Sequence, residues 1–229
     1  MPFDSYPTAG HIEAVLKSAA IWPENDVLQT YARFQADIAA KAAADQCENL
    51  LGWDRALVER GEGGELIAAT RYFDGGDHNG DLNLNAGLLR FDSVSIGGTL
   101  QTRDYTPNFK RLSNRSDSPI IAFRGAFYGN RAGIWGSGYG AGYGGNRIAI
   151  TGVWGRFLKV PADLFEVCQH KAMANMMDYV YNQQSIGSIS QDGFSESFDI
   201  TGVRTQQNIA ETGAKNFNSV CATWARVVF

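Results

Sequence analysis

The order of texture along this chain constrains its fold more than any other feature. Helix-type patterns occupy both ends, and a stretch of about 95 residues rich in glycine, asparagine and aspartate, with short β-type apolar runs, separates them. At the front, Ile12, Val15, Leu16 and Ala19 fall at helical spacing behind Thr8, whose side chain suits an N-cap, so a helix is expected over 8–20. A second helix is expected from Pro23, with its ring at the first helical position. It carries Val27, Tyr31, Phe34, Ile38 and Ala42 on one face and reaches Cys47 or Leu50. Alanines on its other faces permit close approach by neighbouring helices or subunits.

From about residue 61 the expected strands are 65–73, 88–96, 99–105, 119–127 and 147–155, with Gly97-Gly98 as a hairpin signal. Helix is expected again from Pro161 to about Asn182, with Leu164, Val167, Cys168, Met176 and Val180 in one stripe. Residues 184–202 read as a polar Ser- and Gly-rich loop. A last helix from about Arg204 places Ile209, Gly213, Phe217, Val220 and Trp224 in register. The expected class is α+β: a helical bundle of about four helices, residues 1–60 and 156–229 with the C-terminal tail, interrupted by an antiparallel β-subdomain over 61–155.

Composition narrows the function. The net charge of −4 provides no basic field to hold the chain on nucleic acid or anionic membrane. The start MPFDSYPTAG has no basic segment leading into an apolar one, and no apolar run approaches the roughly 20 residues of a membrane span, so export and membrane insertion are disfavoured. Cys47, Cys168 and Cys221 are odd in number, far apart and set in helical segments, which reads as buried thiols without a disulfide.

Catalytic patterns are sparse, and no enzymatic activity is expected. His11, His78 and His170 have no paired motif beside them, and GxSxG, HExxH and GxxxxGK[ST] are absent, so no catalytic residue and no cofactor is assigned. Asp77, Asn79, Asp81 and Asn83 alternate as calcium ligands do. Leu82 stands where the loop requires glycine and Leu88 where it requires a closing glutamate, so this is read as a polar turn and no metal is assigned. Gly140, Gly142 and Gly145 match GxGxxG spacing, but a β-type run follows instead of a helix N-terminus. The loop 129–146 still carries Trp135, Tyr139 and Tyr143, which are set as partner-contact candidates. Residues 103–115 mix base and aromatics and are read as a solvated loop.

Several local patterns resemble the head–tail adaptor, or connector, proteins of tailed bacteriophages. AAADQCENLLGWD at 42–54 is similar to the close of the second helix in that family. LLRFDSVSIGG, TRDYTPNFKRLS and SPIIAF resemble its β-insertion. IAITGVWGRFLKVPADLFEVCQHKAMANMMDYVYNQQ, a strand ending in Gly-x-Trp-Gly followed by Val-Pro and a helix, is the most specific match, and SIGSISQDGFSESFDI resembles the polar connector before the last helix. The loop 129–146 and the turn DGGDHNGD depart from the family pattern.

The resemblance implies a structural neck protein of the virion, assembled in the host cytoplasm. It implies a homo-oligomeric ring of twelve copies that binds beneath the portal protein, extends the channel through which genomic DNA passes and receives the next neck or tail protein. Portal docking is expected of the C-terminal segment, with Trp224, Arg226, Val227, Val228 and Phe229 as candidates. Charge fits this picture, since twelve copies at −4 each line a channel that repels phosphate. The rival reading is a β-rich binding module that recognises carbohydrate or another ligand through the Gly/Tyr loop 129–146.

Overall fold

A computed structural model of the chain describes residues 3–52, 56–74, 81–116, 118–124, 147–181 and 187–225. The chain is α+β, with a helical part interrupted in sequence by an antiparallel sheet. It divides into two compact units, one of Met1–Gly52 with Lys159–Arg226 and one built on Trp53–Leu158. No described helix is long and apolar enough to cross a membrane.

In the helical unit, α1 (Ala9–Ser18) buries Ile12 and Leu16. Thr8 caps it, and His11 reaches back, its Nδ1 accepting from the Thr8 amide at 3.1 Å. α2 (Asp26–Leu51) begins three residues after Pro23. The Asn25 side chain accepts from the amides of Val27 (2.9 Å) and Leu28 (3.3 Å), and a capping acceptor sets a helix start more firmly than a ring that merely tolerates one. Pro161 likewise immediately precedes α3 (Ala162–Val180) instead of opening it.

The alanine side of α2, expected to permit close approach by a neighbouring helix, is the buried one. Leu28, Ala32, Ala36, Ala39, Ala40, Ala43, Cys47 and Leu51 are buried, while Val27, Phe34 and Ile38 are exposed. The alanines join Ala172, Met173, Met176, Met177 and Val180 of α3 in one core. Methyl-sized side chains let two backbones approach closely, so more dispersion contacts form than a larger face would allow at that spacing.

The stretch expected to be a polar loop folds instead into a hairpin, β7 (Ser188–Gln191) with β8 (Phe194–Ser197), labelled in chain order after the six strands described below. Its turn is Asp192-Gly193, both at positive φ (50° and 83°), the backbone a two-residue hairpin loop requires. Ile189 and Phe198 anchor it to the core. α4 (Ile200–Ala214) starts four residues earlier than expected because Asp199 caps it, accepting from Thr201 and Gly202 at 3.2 and 2.9 Å. The last helix is not continuous: the chain breaks at Lys215-Asn216 and resumes as α5 (Phe217–Ala225). Five α-helices are thus present among the described residues.

The other unit is a six-stranded antiparallel sheet of β1 (Ala69–Asp74), β2 (Leu82–Ile96), β3 (Thr99–Leu100), β4 (Phe109–Arg111), β5 (Ile120–Phe123) and β6 (Arg147–Trp154). The order is β1-β6-β2-β5-β4, with β3 hairpinned on β2 across Gly97-Gly98. β2 begins six residues before the expected strand and draws Leu82 and Asn83 out of the expected turn, opposite Phe123 and Ala122. The expected loop at 103–115 holds β4 and a buried Tyr105, because Phe91, Tyr105, Phe109 and Phe123 pack edge to face, with centroids 5.3–6.4 Å apart. Trp154 is 4% exposed, donates Nε1–H to the Ala69 carbonyl at 2.8 Å and lies under the Arg71 guanidinium at 4.8 Å.

Candidate docking surfaces

The C-terminal candidate Trp224 sits in the last turn of α5, half-buried, and donates its indole N–H to Asp163 Oδ2 at 2.8 Å. Asp163 lies in the first turn of α3, so this bond ties the end of the described chain back to the helical unit. Arg226, Val227, Val228 and Phe229 lie outside the described residues, as do Trp135, Tyr139 and Tyr143 of the Gly/Tyr loop, and His78, Asp77 and Asn79 of the Asp/Asn stretch.

The three cysteines meet, although they are 121 and 53 residues apart in sequence. Cys47 on α2, Cys168 on α3 and Cys221 on α5 are free and fully buried, with the Cys221 thiol 3.5 Å from Cys47 Sγ. The hydrogen bond with the Cys168 thiol, with burial adding to it, pushes the Cys47 thiol up to about 12. The Cys47 thiol and burial push Cys221 higher still, and burial raises the Tyr6 phenol beside them. Raised in this way, the Cys47 and Cys221 thiols stay protonated at physiological pH. The three cysteines weld α2, α3 and α5 together. Among the described residues no group of three or more His, Cys, Asp and Glu side chains is placed to hold a metal ion.

The two described histidines lie on α1 and α3. His11 serves the cap of α1 and meets the edge of Phe165, with centroids 5.1 Å apart. His170 stands 3.9 Å from Glu166 on the same helix, its Nδ1 buried without a hydrogen-bond partner among the described residues.

What the sequence reading missed is the outer face of α2. Phe34 is 61% exposed, Ile38 45% and Val27 36%, with Tyr31 half-buried between them. The signal was present as Leu28, Ala32, Ala36, Ala39, Ala43 and Cys47 at the same helical period on the opposite side. Beside the outer stripe, Arg33 reaches Glu13 of α1 through two bonds, at 3.0 and 2.8 Å, and Lys17 adds a contact at 2.7 Å. The Arg33 hydrogen bond, joined by Lys17, pulls the Glu13 carboxyl down to about 2.

No model of a protein family matches the chain, and no curated protein matches it. Its chemistry is therefore read from its own surfaces. Among the described residues these surfaces include the exposed outer stripe of α2 and the Trp224–Asp163 contact at the end of the described chain.

Proposed function

We propose that the chain is a structural head–tail adaptor of a tailed phage. In this role it forms a twelve-membered ring under the portal protein, prolongs the DNA channel and receives the next neck or tail component. The observation that carries the reading is a helical unit whose two halves, Met1–Gly52 and Lys159–Arg226, are separated in sequence by an antiparallel sheet, the organisation that the family-like segments imply. The junction segment that most resembles the family contributes β6, which ends at Trp154, and α3, which follows Val160-Pro161 directly. An acidic subunit suits a channel wall past which phosphates slide, since like charge keeps the genome from adhering.

In this role residues 226–229 dock on the portal, while the Trp224–Asp163 bond fixes the point from which they leave. The test is a chain ended after Ala225. It should keep the thermal stability and mass of the full chain and lose attachment to purified portal rings. Attachment at full-length affinity would contradict the docking role.

A further inference from the structure

We infer that Cys47 and Cys221 are a redox latch: when α5 lifts from α2, a soluble disulfide oxidises the two thiols to one disulfide bond, which then pins α5 to the helical unit. Three free cysteines from α2, α3 and α5 meet in the core, and the Cys221 thiol stands 3.5 Å from Cys47 Sγ. A disulfide holds its sulfurs about 2.05 Å apart, so about 1.5 Å of travel closes the bond, within the reach of side-chain torsions.

Burial sets the condition. Cys47 and Cys221 are both 0% exposed, so a dissolved oxidant reaches neither while α5 is docked. Of the three helices, α5 opens at least cost, because few buried contacts hold it. It has nine residues, of which Phe217 and Cys221 are buried, and the break at Lys215-Asn216 separates it from α4. By contrast, α2 buries eight residues along its length and α3 nine. The Trp224–Asp163 bond at 2.8 Å is a polar tie that holds α5 down.

Once α5 lifts, the Cys221 thiol loses its proton to water and the thiolate attacks the oxidant, here glutathione disulfide. A Cys221–glutathione bond forms and one glutathione thiolate leaves. As α5 returns, Cys47, deprotonated in turn, attacks Cys221 Sγ and expels the second glutathione thiolate. Two electrons pass to the oxidant, the two thiol protons end on the two glutathione molecules, and excess thiol reverses the step. The product joins positions 174 residues apart, a long closure of the kind that constrains the unfolded chain most. The latch involves no portal contact and stands whether or not the adaptor reading does.

The test incubates the full chain with glutathione disulfide and then alkylates the thiols that remain. Before alkylation the intact mass should fall by two hydrogens, and dithiothreitol should reverse the loss. Peptide mapping should join Cys47 to Cys221 and find Cys168 alkylated. The melting temperature of the oxidised chain should rise by about 5–10 °C. Trp224→Phe, which removes the tie, should speed oxidation about five-fold, the worth of one net hydrogen bond in the opening equilibrium. Glu196→Ala, which loosens the helical unit away from α5, should leave the rate unchanged. A chain that stays reduced or stops at a glutathione adduct, a Cys47–Cys168 bond, an oxidised chain that melts no higher, or equal rates for Trp224→Phe and Glu196→Ala would each overturn the latch.

Discussion

The carboxylate of Glu196, on β8, accepts the backbone N–H of Glu24, 172 residues before it, at 3.0 and 3.1 Å, so the hairpin holds the chain that leads into α2. It also accepts the Asn25 amide at 3.4 Å. A negative charge at a helix N-terminus is stabilised both by the free amides and by the helix dipole. The Asn25 side chain accepts from the Val27 and Leu28 amides, so side chains from two distant segments share the work of starting α2.

Glu196→Ala should therefore destabilise the helical unit by about 0.5–2 kcal/mol, the usual cost of a lost N-cap acceptor. Glu196→Gln, which keeps an acceptor and loses the charge, should lose less. Urea denaturation followed by far-UV circular dichroism checks both. An alanine variant as stable as the wild type would show that water replaces the carboxylate at no cost.

Gly213 of α4 lies where α4 crosses α3, and a Cβ there would run into the ring of His170. Gly213→Ala should cost about 1–3 kcal/mol, as overpacking does, despite the higher helix propensity of alanine. The His170→Ala/Gly213→Ala double variant should recover most of that loss. Non-additivity in a double-mutant cycle is the readout, and simple additivity would remove His170 as the cause.

The Glu13–Arg33 pair makes stability pH-dependent in a defined window. A folded-state carboxyl held down to about 2 contributes stability above the unfolded value of about 4.3 and loses it as pH falls from there towards 2. The wild type should lose stability more steeply than Glu13→Gln between those limits, with the two curves parallel above pH 6. Parallel curves throughout would show that the pair does not discriminate between the folded and unfolded chains.

Trp154 supports the sheet through its burial, its bond to the Ala69 carbonyl and its contact with Phe73 at 5.8 Å. Trp154→Ala should cost about 3–5 kcal/mol, the range for a buried aromatic. Chemical denaturation checks it, and a loss below about 1 kcal/mol would contradict the packing described.

The alternation of helix and strand was legible because periodicity depends on the backbone period, which is local. Which face of α2 is buried was not. Val27, Phe34 and Ile38 outrank alanine in size, yet Ala32, Ala36 and Ala43 are inside, because close backbone approach to α3 decides burial there and is a property of two helices. The β7–β8 hairpin was hidden by its serines, although Asp192-Gly193 is as direct a turn signal as the Gly97-Gly98 pair that marked β2–β3. The break at Lys215-Asn216 leaves Phe217 and Cys221 buried while Ile209 is half exposed, a change of face that a single period cannot express. At the candidate surfaces, Trp224 stood out as an aromatic near the chain end. Its partner Asp163 lies 61 residues away and is visible only in the fold, as is the meeting of the three thiols.

Mass measurement of the purified chain mixed with purified portal rings tests the proposed adaptor role most directly. The adaptor role requires co-migration with the portal at about one chain per portal subunit. A chain that stays free at every mixing ratio would contradict it.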